Sequence, residues 1–145
     1  GGHTPDPTYE QVCSHTTGHA ETVRVLFDTS LTSAADLIRL FFEIHDPTQV
    51  GGQGNDIGDQ YRSQIWTTTP EQLRDATALR EAYQDVLSAR GFGPIQTVIS
   101  TAPDADSNAR FWYAEDYHQQ YLFKNPGGYE CHARTGVACP ALPSE

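Results

Sequence analysis

The stretch QYRSQIWTTTPEQLRDATALREAYQDVLSARGFGPIQTVIST, residues 60–101, decides the fold. Gln60 to Thr67 reads as a strand. Thr69 follows as a helix N-cap, Pro70 takes the first helical position, and Gln72 stands where a capping box needs an amide. Leu73, Ala76, Leu79, Tyr83, Val86 and Leu87 recur at the interval of one helix face, and Gly91 ends the helix. Ile95 to Thr101 is rich in β-branched residues and predicts a second strand, closed by Pro103. Strand, long helix and strand in that order call for layers, with the helix packed on a sheet.

Outward from this unit the pattern continues. Glu21, Val23, Val25 and Phe27 alternate with Thr22, Arg24 and Leu26, which predicts a strand over 21–27. Ser33 with Asp36 forms a capping-box pair, and Leu37, Leu40, Phe41 and Ile44 share one helical face before Pro47 stops the helix. Glu115 to Phe123 predicts a short helix ending before Asn125-Pro126. Residues 1–18, 46–60 and 102–110 read as loops, and 125–145 as an extended tail. The result is an α+β fold in a single domain over 1–145, with helices on a three-stranded sheet. Three strands make a thin sheet for this length, and the chain contains no methionine. Both features lead us to expect a fragment or processed product that lacks an N-terminal strand.

The net charge of −10 argues against nucleic-acid backbone and anionic lipid as partners. No apolar run approaches the roughly 18 residues of a membrane helix. Gly1-Gly2-His3-Thr4-Pro5 is neither a signal nor a transit peptide, so the cytoplasm is the expected location. Cys13, Cys131 and Cys139 are odd in number, unlike a dense secreted disulfide framework.

Four constellations carry chemistry. Glu21 stands at the mouth of an apolar strand face, where lost hydration would raise its pKa towards that of a general acid; the plain alternative is an exposed strand-end carboxylate. The Gly-rich loop before Tyr61 can bring Asp56 and Tyr61 to a pocket edge, or can be only a series of turns. Phe111-Trp112-Tyr113-Ala114-Glu115-Asp116-Tyr117-His118-Gln119-Gln120-Tyr121 has aromatics beside acids and amides that could wall a small apolar pocket, or simply pack. Cys131 and Cys139 lie in a Gly-containing tail suited to thiol–disulfide exchange, with His132 and Arg134 favouring the Cys131 thiolate; the alternative is two idle thiols. Cys13, His15 and His19 offer metal-type ligands, but their spacing matches no familiar zinc pattern.

Together these blocks resemble peptide methionine sulfoxide reductase A, a family that reduces the S-epimer of methionine sulfoxide. The resemblance runs from Gly1-Gly2-His3-Thr4-Pro5-Asp6-Pro7-Thr8-Tyr9 through Gly18-His19-Ala20-Glu21, His45-Asp46-Pro47-Thr48-Gln49, Gln53-Gly54-Asn55-Asp56, Gln60-Tyr61-Arg62-Ser63, Tyr113-Ala114-Glu115-Asp116-Tyr117-His118-Gln119-Gln120-Tyr121 and Lys124-Asn125-Pro126-Gly127-Gly128-Tyr129. It implies a ferredoxin-like two-layer α/β sandwich with a long coiled C-terminal tail. It implies Glu21 as the acid that protonates the sulfoxide oxygen, Tyr9 and Tyr61 as its hydrogen-bond donors, and Asp56 as an orienting carboxylate. Trp112 would bind substrate, Cys131 would resolve the sulfenic acid, and Cys139 would pass the disulfide to the tail surface. The implied partners are oxidised proteins and free methionine sulfoxide as substrates and thioredoxin as reductant; a monomer with no cofactor and no metal is expected. The family's nucleophile sits in a Gly-Cys-Phe-Trp-Gly motif that these residues do not contain. A chain truncated before that motif, inactive alone and with an exposed apolar edge, is therefore expected. Gly51-Gly52, Asp59 and an inserted Glu130 also depart from the family pattern. The competing reading is a non-catalytic module that binds methionine sulfoxide or thioredoxin.

Overall fold

The computed structural model describes residues 1–131 and 133–143. It is a small mixed α/β structure. Its elements run α1 (Tyr9–Cys13), α2 (Ala34–Glu43), β1 (Gly52–Gln53), β2 (Asp56–Ile57), a 3-10 turn (Asp59–Tyr61), β3 (Gln64–Thr67), α3 (Pro70–Ala89), β4 (Val98–Thr101) and α4 (Tyr121–Lys124). Among the described residues no helix is long and apolar enough to cross a membrane.

The deciding stretch keeps the predicted order of strand, helix and strand, but the second strand begins at Val98 and not at Ile95. β3 and β4 pair in parallel, with Gln64 opposite Val98 and Thr67 opposite Thr101, and α3 is the crossover between them. The Thr69 hydroxyl accepts from the Gln72 N–H at 3.2 Å, and Pro70 begins the helix. The Gln72 side chain closes the cap one residue earlier than expected, accepting from the Thr68 N–H at 2.8 Å. Gly91, at φ +85°, takes the left-handed turn that releases the chain. Ala76, Leu79, Tyr83 and Leu87 are the buried stripe of α3.

The core joins that stripe to Ile38 and Phe42 of α2 and to Val137 and Cys139 of the tail. Here the structure corrects the phase of α2. Its buried residues are Ile38 and Phe42, while Leu40 and Ile44 are 52% and 44% exposed. The ring of Phe42 lies 5.8 Å from that of Tyr83, so contact with α3 fixes the rotation of α2. His45, just beyond α2, is buried with one ring nitrogen 2.7 Å from the Phe41 carbonyl and the other 2.8 Å from the Ser63 hydroxyl. Ser63 in turn meets the Thr97 hydroxyl at 2.7 Å, which ties α2 to the segments entering β3 and β4.

Five further expectations are corrected. The three-stranded sheet is instead the two-stranded β3–β4 pair and a separate antiparallel β1–β2 ladder. Residues 21–27 form no strand, because among the described residues no neighbouring backbone pairs with 22–27. Val23, Val25 and Leu26 are 86%, 54% and 89% exposed. The loop over 1–18 contains α1, whose Thr8 cap and Gln11 complete a capping box; the Thr-x-x-Gln signal stands in the sequence. The helix expected over 115–123 shrinks to α4, since Gln120 sits at φ +54°, outside the right-handed helical region. The expected strand over 60–67 begins only at Gln64, after a 3-10 turn and an extended Arg62.

Candidate active site

Three loops and the short helix α1 meet around Glu21. Its backbone N–H donates to the Gln60 carbonyl at 2.8 Å, which sets the 21–27 segment beside the turn that carries Tyr61. The neighbouring side chains remove enough water from the Glu21 carboxyl to hold its pKa above the ordinary glutamate range. The positive field of His118 opposes this effect and the Asp56 carboxylate adds to it. Tyr9, the first residue of α1, has its pKa pushed up to about 12, with the Cys13 side chain one turn on as the largest cause and Tyr61 and Glu21 contributing. The pKa of Tyr61 is raised by lost hydration and then by Glu21. Both phenols therefore stay protonated at neutral pH and can donate a hydrogen bond without becoming anions. A carboxyl whose pKa is raised, near two such donors, is suited to receive a developing oxyanion.

Asp56 lies on β2 of the small hairpin, and its carboxylate accepts from the Tyr129 hydroxyl at 3.0 Å. Two residues after Tyr129, the half-buried Cys131 thiol donates to the Gln53 backbone carbonyl, 3.4 Å away. Gly54 makes that approach possible. It sits at φ +59°, and a Cβ there would lie 2.8 Å from the Cys131 sulfur. The hairpin thus brings Asp56, Tyr129 and Cys131 to one place.

The sequence expectations hold unevenly here. Tyr9, Glu21, Asp56 and Tyr61 come within electrostatic reach of one another. The polar contacts of Trp112 stay in its own loop: its indole donates to the Asn108 carbonyl at 2.9 Å, and the Arg110 guanidinium stacks on it at 3.9 Å. The expected aromatic wall divides. Phe111 and Tyr113 face the Arg24 guanidinium at 4.9 and 5.1 Å, while the Tyr117 ring meets His118 at 4.4 Å. Arg134 is 3.4 Å from Glu130 and so is engaged with a carboxylate, and His132 lies outside the described residues. His15 pairs with Asp59 at 3.0 Å and His19 with the Thr4 carbonyl at 2.8 Å, so the two point to different partners.

Three residues to which the sequence motifs assign no individual role join the cluster. Tyr129 is one. The others are Glu115 and His118, three apart in sequence. One Glu115 oxygen accepts from the Tyr9 N–H at 3.0 Å, and the other lies 3.1 Å from His118 Nδ1. The His118 ring stands 5.0 Å from that of Tyr9. The N-terminal turn of α1 has unpaired N–H groups that a carboxylate can cap, but nothing local shows that this carboxylate comes from residue 115.

Cys139 is held differently from Cys131. It is 1% exposed, and burial pushes its thiol up to about 11, with the Glu43 carboxylate adding to the shift. Its N–H donates to Glu43 Oε1 at 2.9 Å, its carbonyl accepts from Arg39 Nε at 3.2 Å, and Tyr83 donates to the Val137 carbonyl at 2.7 Å. Cys139 is thus packed in the core and not at the tail surface. With N-ethylmaleimide at pH 8 under native conditions, Cys131 should react at least about tenfold faster than Cys139, reflecting exposure and thiolate content. Mass mapping of the adducts over time checks this, and equal rates would contradict the packing of the tail.

A family model described as peptide methionine sulfoxide reductase matches residues 1–142. The peptide methionine sulfoxide reductase MsrA of Rhodospirillum centenum is 55% identical over 140 residues, covering 97% of this chain and 61% of that protein. The human mitochondrial peptide methionine sulfoxide reductase is 52% identical over 140 residues, covering 97% of this chain and 57% of that protein. The chain spans about three fifths of the length of these relatives. The solved structure of methionine sulfoxide reductase A of Corynebacterium diphtheriae superposes with a TM-score of 0.79 at 44% identity, covering 99% of this chain and 68% of that one. Sequence match and fold agree, and the chain belongs to the peptide methionine sulfoxide reductase family.

Proposed function

We propose that this chain carries the oxygen-handling and thiol-resolving parts of a reductase for the S-epimer of methionine sulfoxide, free or in proteins. The observation that carries this reading is the Glu21 carboxyl, its pKa raised by lost hydration, within electrostatic reach of the Tyr9 and Tyr61 phenols. The tyrosines donate to the sulfoxide oxygen, Asp56 orients the group, and Glu21 supplies its proton. A cysteine thiolate attacks the sulfoxide sulfur. The sulfoxide loses its oxygen and is reduced to the thioether, and the attacking cysteine is oxidised to a sulfenic acid. The Cys131 thiol then condenses with the sulfenic acid, forming a disulfide and releasing water. Cys139 takes over that disulfide once the tail segment leaves the core, and thioredoxin reduces it. The β3–α3–β4 unit with α2 supports a ferredoxin-like two-layer sandwich in one domain, which in this reading works as a monomer in the cytoplasm.

None of Cys13, Cys131 and Cys139 lies in a Gly-Cys-Phe-Trp-Gly setting. These residues alone are therefore expected to give no turnover of a methionine sulfoxide peptide with dithiothreitol. The same residues joined to a family-like segment bearing that motif are expected to turn over. If neither protein does, the reductase reading fails. Saturable binding of the sulfoxide peptide without reduction would then favour the non-catalytic binding module.

A further inference from the structure

The Arg62 guanidinium spends its hydrogen bonds on backbone carbonyls from three separate segments. Nη1 donates to the Asp59 carbonyl at 2.9 Å, and Nη2 donates to those of Gly18 at 3.0 Å and Gly1 at 3.4 Å. Asp59 opens the turn that ends with Tyr61. Gly18 precedes Glu21 by three residues and sits at φ +68°, in the left-handed region. The N-terminal segment is tied to the same place, since the His3 N–H donates to the Thr17 carbonyl at 2.9 Å. Gly2 packs so closely there that a Cβ would come within 2.3 Å of the Thr17 carbonyl oxygen. One half-buried fork therefore joins the loop bearing Glu21 to the turn bearing Tyr61. A planar guanidinium can reach several carbonyls at once, whereas the single ammonium of lysine is a point charge on a flexible stem.

We propose that Arg62 is the positioning residue that holds the Glu21 loop against the Tyr61 turn. It touches neither the sulfoxide nor the reacting atoms, and acts by fixing the Glu21 N–H on the Gln60 carbonyl. This assignment rests on the reading of Glu21 as the acid, and its test needs no turnover.

The test compares Arg62→Lys and Arg62→Ala with the unchanged 145-residue protein, using amide hydrogen exchange and NMR titration of the Glu21 carboxyl. The Glu21 amide should exchange about tenfold faster in Arg62→Lys, and faster still in Arg62→Ala, while the central amides of α3 keep their rates. The Glu21 pKa should fall towards the ordinary glutamate value as water reaches the loop. Mere removal of a nearby positive charge would raise it, so the sign separates geometry from field. Should Arg62→Ala fail to fold, Arg62→Lys still carries the comparison. Glu21 exchange rising only in step with α3, or a Glu21 pKa unchanged or raised, overturns the assignment. A reductase assay that fails while these shifts appear counts against the proposed function and not against the role of Arg62.

Discussion

Glu21→Gln, made in the protein joined to a segment bearing the Gly-Cys-Phe-Trp-Gly motif, is expected to slow methionine sulfoxide reduction by about a hundred- to ten-thousand-fold. That is the usual contribution of a positioned general acid. Gln keeps the shape and loses the proton, so binding should change little and the loss should fall on kcat. The pH dependence gives an independent sign. The carboxyl must be protonated to act, so the unsubstituted rate falls as pH rises through a pKa held above the usual glutamate value by lost hydration. That limb should vanish in Glu21→Gln. Steady-state rates with a methionine sulfoxide peptide across the acid and neutral range check both points. A variant that keeps its rate, or loses only KM, contradicts the assignment.

Phe42→Ala should be the most damaging single truncation in the core. Phe42 is completely buried, with the Phe41 ring at 5.4 Å and Tyr83 at 5.8 Å, where the two long helices meet. Emptying such a site costs about 3–5 kcal/mol in transfer and cavity terms. A domain holds only about 5–15 kcal/mol in all. Leu40→Ala, on the half-exposed side of α2, should stay within about 0.5 kcal/mol. Urea unfolding of both variants gives the comparison. Equal losses would mean that α2 turns its Leu40 face to the core, as its sequence periodicity alone suggests.

The α2 result shows where sequence reading stops. Two apolar stripes overlap on α2, and periodicity cannot choose between Leu37-Leu40-Phe41-Ile44 and Ile38-Phe42 without knowing where Tyr83 stands. α3 was legible because cap, first-position proline, stripe and terminal glycine all agree over 20 residues. The 21–27 segment has the alternation of a strand, but a strand also needs a neighbour to receive its hydrogen bonds, and alternation says nothing about that neighbour. At the site, family motifs single out Glu21, Asp56 and Tyr61, and the fold brings the three within electrostatic reach of one another. The Glu115 cap on Tyr9 and the Arg62 fork join residues 106 and 44 positions apart, and no local pattern encodes such pairings. The burial of Cys139 was hidden for the same reason. A cysteine in a Gly-containing tail looks mobile until Arg39, Glu43 and Tyr83 are seen to grip the chain around it.

The most direct measurement follows the two epimers of methionine sulfoxide separately. A mixture of S and R sulfoxides with dithiothreitol would be given to the 145-residue protein and to the same residues joined to the motif-bearing segment. The account predicts that the joined protein consumes the S-epimer and leaves the R-epimer, while the 145 residues alone consume neither. Consumption of both epimers at equal rates, or of neither by the joined protein, would contradict it.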